Sequence, residues 1–213
     1  SDSGVVRVYE WSGTEWEQLG SDLQGTEEGE KFGFSVAISS EGSRIAVGAA
    51  GAGGVNPEAG FARVYQWNGV SWAAVGGDVA GEIAGERMGH AVALSTNGSR
   101  LAVAHRVNGV EDSYTRILEW SGSEWVTQAS GLFGGSRILL SNDGNVLATN
   151  SRRYLWSGEA WQQYGPDTPG YEFVSLSEND WLALGDDVGR HNKGVVRVFD
   201  LATTPPVFPP GVI

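Results

Sequence analysis

The 213-residue sequence lacks cysteine and contains a single methionine, Met88. The absence of cysteine excludes disulfide bridges, a thiol nucleophile and thiolate metal ligands. Basic residues are few, since 14 Lys and Arg stand against 26 Asp and Glu for a formal charge of −12. This charge repels a phosphate backbone and no basic run offsets it, so we expect no nucleic-acid partner. No apolar run reaches the roughly 20 residues that a membrane-spanning helix needs, so no membrane span is predicted.

Tryptophan and glycine are abundant, with 9 and 32 copies. Eight of the tryptophans form pairs with the spacing W-[SN]-G-x-x-W: Trp11/Trp16, Trp67/Trp72, Trp120/Trp125 and Trp156/Trp161. A strand, a polar turn with glycine and a second strand predict a β-hairpin for each pair. An arginine recurs in the preceding strand, at Arg7, Arg63, Arg116, Arg153 and, without a tryptophan pair, Arg197. Because the arginine belongs to the repeat, we expect it to stabilise the fold along aromatic faces rather than to form one active site.

A second type of hairpin alternates with the first. Its turns begin at Ser39, Ser95, Ser141 and Ser177, at intervals that shorten along the chain. Large and small residues alternate in its strands, as in residues 34–39, which gives one bulky face and one small face. Two hairpins in every 40 to 50 residues or so are typical of propeller blades. We therefore predict an all-β fold, a β-propeller of four-stranded antiparallel blades over residues 1–203, followed by a Pro-rich tail over 204–213.

The predicted strands do not make a whole number of such blades. Residues 4–20 supply two strands and residues 171–200 supply three, on either side of three complete units. Two interpretations follow: a small ring of about five blades with incomplete terminal blades, or a fragment of a larger propeller.

Two stretches carry a family resemblance. Residues 31–37, KFGFSVA, and residues 45–50, IAVGAA, resemble the FG-GAP repeat, the propeller unit of integrin α subunits and many secreted adhesins. The Phe-Gly of the first stretch and the Gly-Ala of the second match the motif, with Ala50 where the family has proline. The V-R-V-Y-x-W-x-G-x-x-W hairpin resembles a variant of these repeats in long proteins of marine bacteria and algae. The resemblance implies a propeller that presents loops to a protein or glycan partner.

Calcium-binding FG-GAP hairpins resemble a D-x-[DN]-x-D-G loop at the first turn, because Ca²⁺ needs six to eight oxygen ligands. The four turns here read SSEG, STNG, SNDG and SEND. None of them contains three carboxylates, and turn hydrogen bonding explains their polar residues. We therefore expect no calcium in these turns and no cofactor, with a cation elsewhere on the chain as the alternative.

Acidic residues concentrate in the connectors that follow the first two tryptophan hairpins. Residues 20–30 and 76–86 share Gly-x-Asp-x-x-Gly and end in Gly-Glu. They could form a cation or partner site on one rim of the ring, or solvated connectors whose aspartate caps a turn. A third acidic loop, residues 185–194, also contains a histidine. The candidate binding residues are therefore Asp22, Glu27, Glu28, Glu30, Asp78, Glu82, Glu86, Asp186, Asp187 and His191.

Catalytic motifs are lacking in the sequence. His90, His105 and His191 lie far apart and form no pair such as HExxH. His90 occupies the position that Phe34 has in the first copy, which predicts a packed strand residue. We therefore expect a non-enzymatic protein-interaction or adhesion module that is extracellular or secreted, with an organelle lumen as the alternative location.

Two other functions stay open. One is a structural subunit of a larger multiprotein assembly that completes its end blades with a neighbour, since open strand edges recruit partners by strand addition. The other is a hydrolase with a dispersed site in the central channel, where a ring brings distant residues together.

Overall fold

The computed structural model describes residues 3–53, 56–107, 113–165, 167, 173–176, 181–186 and 195–200. Within these residues the regular elements are all β-strands, nineteen in number. Across the same part of the chain, no helix has the length and apolar character needed to cross a membrane. The predicted tail at 204–213 lies outside the described residues.

The first four strands form one interrupted hairpin, which we call the N-terminal hairpin. They are β1 (Val5–Val6), β2 (Tyr9–Trp11), β3 (Trp16–Gln18) and β4 (Leu23–Gln24). Strand β1 pairs with β4, and β2 pairs with β3. The two pairs are continuous, because the Leu19 N–H donates to the Val8 carbonyl across the interruption at 2.8 Å. The sequence predicts two strands within residues 4–20; the structure divides each of them and extends the second to Gln24.

Three complete four-stranded antiparallel sheets follow, which we call blades 1, 2 and 3. Blade 1 contains β5 (Phe32–Ile38), β6 (Arg44–Ala49), β7 (Phe61–Trp67) and β8 (Trp72–Ala80). Blade 2 contains β9 (Ala91–Leu94), β10 (Arg100–Arg106), β11 (Ser113–Trp120) and β12 (Trp125–Phe133). Blade 3 contains β13 (Ile138–Leu140), β14 (Val146–Thr149), β15 (Arg153–Trp156) and β16 (Trp161–Gln163). In each blade the strands are hydrogen-bonded in chain order, as a propeller blade requires.

The last described sheet has three strands, and we call it the C-terminal sheet. It contains β17 (Phe173–Leu176), β18 (Trp181–Asp186) and β19 (Val195–Asp200), in chain order. The first strands of successive sheets lie beside one another, β5 beside β9, β9 beside β13 and β13 beside β17. The predicted all-β fold of antiparallel four-stranded blades is confirmed.

The core lies between the blades, where small residues of one sheet meet large residues of the next. Ala46 of blade 1 is buried in one cluster with Val92 of blade 2, and Ala102 of blade 2 is buried in another with Ile138 of blade 3. This alternation follows the bulky and small faces read from the sequence. Small residues let successive sheets approach closely enough to exclude water.

Arginines at the start of the second strand join neighbouring blades. The Arg44 Nη1 donates to the Gly98 carbonyl at 2.9 Å, and its guanidinium lies 5.2 Å from the ring centre of Trp120 in blade 2. The Arg100 Nη1 donates to the Gly144 carbonyl at 2.8 Å, and its guanidinium lies over the ring of Trp156 in blade 3. The tryptophan pairs therefore serve contacts between blades as well as closing their own hairpins.

The repeat arginine forms an ion pair with an aspartate fifteen positions later in three of the units. The pairs are Arg7–Asp22, Arg63–Asp78 and Arg152–Asp167, at 2.8, 2.6 and 2.9 Å. The assignment of Arg153 to this position is wrong, because Arg152 is the residue four positions before the tryptophan. Arg153 is instead buried. One residue of spacing reverses the face of a strand to which a side chain points, which accounts for the difference.

Candidate functional site

Two connectors between sheets share one backbone design. From here on, the first connector means residues 25–31 and the second connector means residues 81–87, the parts that follow the aspartates. Glu30 is buried, and its Oε2 accepts the N–H groups of Thr26 and Glu27 at 2.7 and 2.9 Å. Glu86 is buried too, and its Oε2 accepts the N–H groups of Glu82 and Ile83. Each connector therefore contains a carboxylate with one oxygen held by the backbone and a second oxygen available to its surroundings.

The residue after each buried glutamate has a left-handed backbone conformation. Lys31 and Arg87 both have φ of 54°, a region that non-glycine residues rarely adopt. Such strain costs on the order of 1–3 kcal/mol and persists only where surrounding contacts impose it. The two connectors share the strain, so it belongs to the connector design rather than to one site.

The first connector borders a polar cleft of about 370 Å³. Glu27, Glu30, Asn56, Arg63 and Asp78 contribute to its lining. The Arg63 Nε and Nη2 donate to the two carboxylate oxygens of Asp78 at 2.6 and 2.7 Å, and this pairing raises the pKa of Arg63. The cationic group in this cleft is therefore neutralised by its own aspartate.

The second connector has different neighbours. The Glu86 Oε1 lies 3.3 Å from the Nδ1 of His105 and 4.0 Å from the Nη2 of Arg116. The same Arg116 nitrogen also lies 3.1 Å from the Glu82 Oε1. The His105 Nδ1 has no hydrogen-bond partner among the described residues, so its contact with Glu86 becomes an ion pair only when the imidazole is protonated. A buried carboxylate, an imidazole and a guanidinium thus meet at one rim of blade 2.

Two departures from the repeat create this group. His105 occupies the position on β10 that Ala49 has on β6. Gly131 occupies the position that Asp78 has in blade 1, fifteen residues after the repeat arginine. Blade 2 therefore has no counterpart of Asp78 to pair with Arg116. Arg116 contacts the carboxylates of the second connector instead.

The environment of His105 favours the neutral imidazole. Burial lowers its pKa from the ordinary value of 6.5; Glu86 opposes this and Arg116 adds to it. The side chain is 18% exposed, so solvent still reaches the ring. A neutral imidazole beside a buried carboxylate can accept a proton from water, and a nearby guanidinium can stabilise an anionic oxygen.

The structure gives the sequence-predicted residues different roles. Asp22 and Asp78 pair with the repeat arginines. Glu30 and Glu86 hold their connectors, Glu27 lines the cleft and Glu82 pairs with Arg116. Glu28 lies exposed in the turn of the first connector.

The remaining predicted residues belong to the third acidic loop. Asp186 ends β18, whereas Asp187 and His191 lie outside the described residues. His90 packs as predicted, with its ring 5.2 Å from that of Phe34, but it lies just before β9 rather than in a strand.

His105 and Arg116 were not predicted from the sequence as members of a site. Their signal was a difference between copies: a histidine in place of alanine, and a repeat arginine without its aspartate. Among the described residues, no group of three His, Cys, Asp or Glu side chains is arranged to hold a metal ion. The expectation of no cofactor stays a prediction.

No family model matches the chain, and no curated protein matches it. The FG-GAP resemblance therefore stays a prediction. Similar solved structures exist. A protein from Bacteroides uniformis described as a 6-phosphogluconolactonase is 13% identical, with a TM-score of 0.61 over 92% of this chain and 60% of its own.

Two further structures are comparable. TolB from Acinetobacter baumannii is 13% identical, with a TM-score of 0.55 over 93% of this chain and 47% of its own. The periplasmic gluconolactonase PpgL from Pseudomonas aeruginosa is 15% identical, with a TM-score of 0.57 over 98% of this chain and 67% of its own. The chain thus spans roughly half to two thirds of the length of these propellers, which share its fold.

These structures correct the predicted function. The expectation of a non-enzymatic interaction or adhesion module is contradicted, because the similar propellers are mostly enzymes. The structural-subunit alternative has no support from them, and neither has the prediction that the chain is not an enzyme. At 13–15% identity the likeness concerns the fold, so the reaction has to be argued from the site.

Proposed function

We propose that this chain is the catalytic propeller of a hydrolase that opens small, polar esters, with cyclic esters of sugar acids as the substrate class. The observation that carries the proposal is the contact of the Glu86 Oε1 with both His105 and Arg116. The two lactonases among the similar structures support this class of substrate, although they share only the fold.

His105, Glu86 and Arg116 each have a role in the proposed hydrolysis. The second ring nitrogen of His105, Nε2, takes a proton from water as the water oxygen bonds to the ester carbonyl carbon. Glu86 stabilises the imidazolium that forms, which removes part of the cost of charging a half-buried ring. Arg116 stabilises the negative charge on the former carbonyl oxygen. The bond to the alkoxide oxygen then breaks, and the imidazolium returns the proton to that oxygen to give a hydroxy acid.

The test is the hydrolysis of sugar lactones, followed by acid release in a weakly buffered pH-indicator assay. Wild-type chain should hydrolyse at least one lactone faster than the spontaneous reaction. His105→Asn and Glu86→Gln should each lower kcat by about 10²- to 10⁴-fold, the range for removing a general base or its partner.

The repeat provides matched controls for both variants. Glu30→Gln makes the same change in the first connector, and His90→Asn removes a half-buried histidine outside the site. Both should leave kcat within about twofold of wild type. Equal losses in Glu30→Gln and Glu86→Gln would refute the assignment, as would a wild-type rate equal to the spontaneous one.

We also infer a location outside the cytoplasm. The acidic composition and the periplasmic location named for one similar gluconolactonase support this inference. Fractionation of expressing cells with a cytoplasmic marker enzyme tests it, and co-fractionation with that marker would contradict it.

A further inference from the structure

The polar cleft beside the first connector, which we call the first cleft, contains a carboxylate oxygen that the chain leaves unpaired. Glu30 is 3% exposed and borders the cleft. Its Oε2 accepts the N–H groups of Thr26 and Glu27, whereas its Oε1 accepts no hydrogen bond from the described residues. The Oε1 is not among the enclosed unpartnered atoms, so solvent in the cleft reaches it. A carboxylate with so little contact with water is stabilised by a donor that a ligand supplies.

The second connector shows which group the same design can place against this oxygen. The Glu86 Oε1 has the Nδ1 of His105 at 3.3 Å. The residue in the same register of blade 1 is Ala49, whose methyl group has neither a donor nor a charge. The first copy therefore keeps the buried carboxylate and lacks the basic group beside it, while a cleft of about 370 Å³ stays open.

The polar groups of the first cleft are mainly hydrogen-bond acceptors. Asp78 neutralises Arg63. Glu27 and Glu30 remain as negative charges in the lining. Asn56 donates its Nδ2 to a carbonyl of the second connector at 3.0 Å, which leaves its Oδ1 as an acceptor. A complementary ligand is therefore cationic and rich in hydrogen-bond donors.

The size and the lining of the first cleft favour an organic cation over a metal ion. A volume of about 370 Å³ lies in the range of pockets that hold small molecules. No three His, Cys, Asp or Glu side chains in the described part of the chain are arranged to hold a metal ion. Phe61 is the only aromatic residue in the described lining, whereas quaternary ammonium groups are held by cages of several rings. A primary ammonium group fits this lining better.

We propose that the first cleft binds a small primary ammonium compound that carries hydroxyl groups, such as an amino sugar. The ammonium group donates a charge-assisted hydrogen bond to the Glu30 Oε1, and the charge of Glu27 adds to the attraction. The hydroxyl groups donate to Asn56 and to the remaining carboxylate oxygens. The described lining includes none of the residues assigned to the hydrolysis, so this inference does not depend on the proposed reaction.

The first test compares glucosamine with glucose, which has a hydroxyl group in place of the amine. Dissociation constants are measured by ligand-detected NMR titration at about pH 6.5, where the amine is protonated and the carboxyl groups are ionised. Wild-type chain should bind glucosamine at least about tenfold more tightly than glucose, because a hydrogen bond to a charged group is worth about this factor.

The charge of the buried glutamate is tested by Glu30→Gln. Glutamine keeps an oxygen for the two backbone N–H groups and loses the charge, so glucosamine binding should weaken by about tenfold or more. Glu86→Gln makes the same change in the second connector, and Glu28→Gln removes an exposed charge of the first connector outside the lining. Both controls should stay within about twofold of the wild-type affinity. The circular dichroism spectrum checks that Glu30→Gln is folded.

A second variant fills the first cleft without changing its charge. Ala80 is exposed at the end of β8 and belongs to the lining. Ala80→Leu should therefore weaken glucosamine binding by about tenfold, since the added side chain occupies space that the ligand needs. Ala74→Leu makes the same change at an exposed position of the same strand outside the lining, and it should bind glucosamine as wild type does.

The proposal fails on any one of three results. One is a wild-type chain that shows no saturable binding of glucosamine, or binds it no more tightly than glucose. Another is a folded Glu30→Gln chain that loses no more affinity than Glu28→Gln. The last is an Ala80→Leu chain that binds glucosamine as tightly as Ala74→Leu, and this result decides the matter even where Glu30→Gln does not fold.

Discussion

The first and second connectors have the same backbone and different chemistry. Both bury a glutamate that accepts two backbone N–H groups, and both continue through a residue with φ of 54°. The first connector lies beside Ala49 and beside Arg63, which is paired with Asp78. Beside the second stand His105 and Arg116, and the latter has no aspartate at the equivalent position of its own blade.

This comparison separates what the repeat needs from what one copy adds. A feature present in both connectors, such as the buried glutamate, serves the connection between blades. A feature present in only one, such as His105, has no role in the shared design and is therefore a candidate for chemistry.

Among the variants that test this comparison, the largest effect is expected from returning the missing aspartate to blade 2. Gly131→Asp should give Arg116 a carboxylate in the register that Asp78 has with Arg63, and so draw the guanidinium away from Glu86. Open space surrounds the Cβ position of Gly131, although its φ of +71° adds strain. We expect lactone hydrolysis to fall by about 10- to 100-fold, which is comparable to losing much of one oxyanion contact.

Gly131→Asn is the control for that variant. Asparagine has nearly the same shape and tolerates positive φ, but it lacks the charge that attracts Arg116. It should retain most of the activity. Equal activity in the aspartate and asparagine variants, measured as kcat, would show that Arg116 does not act through its position beside Glu86.

Removing the buried glutamates should destabilise both connectors alike. Glu30→Ala and Glu86→Ala each leave two backbone N–H groups without their carboxylate oxygen, at a cost of about 1–3 kcal/mol in the free energy of unfolding. Urea denaturation measures the loss, with exposed Glu28→Ala as the control. A stable Glu30→Ala beside an unstable Glu86→Ala would mean that the two connectors do not share one design.

The fold was predictable because the sequence repeats the same pattern several times. Tryptophan spacing, serine turns and the large and small faces recur, and each copy checks the others. The prediction was wrong where a copy is irregular. In the shortened strand of blade 3, Arg153 directly follows Arg152, so the sequence pattern assigned the wrong arginine to the repeat. The site was not predictable in the same way, because His105 and Glu86 are nineteen positions apart and meet only through the packing of β10 against the second connector.

The free energy of unfolding should depend on pH, because the second connector has a half-buried histidine beside it. Burial lowers the pKa of His105 from its ordinary 6.5, so the folded chain binds this proton less readily than the unfolded chain does. The free energy of unfolding should therefore fall as pH falls below about 6.5. His90 adds to this fall, because burial and the charges of Arg106 and Arg87 lower its pKa as well.

The comparison uses single variants at both histidines. His105→Asn and His90→Asn should each flatten the decline between pH 7 and pH 5, as measured by urea denaturation across that range. A decline of unchanged slope in His105→Asn would contradict a neutral His105 in the folded chain.

The smallest effect is expected at the arginine of the first cleft. Arg63 pairs with Asp78 at a partly exposed site and lies 4.9 Å from the ring centre of Phe61, so Arg63→Leu should cost about 1 kcal/mol of stability. Activity should not change, because Arg63 is absent from the second connector. Arg116→Leu should behave in the opposite way, with kcat reduced and stability nearly that of wild type. A loss of activity in Arg63→Leu at unchanged stability would place the chemistry in the first cleft rather than beside His105.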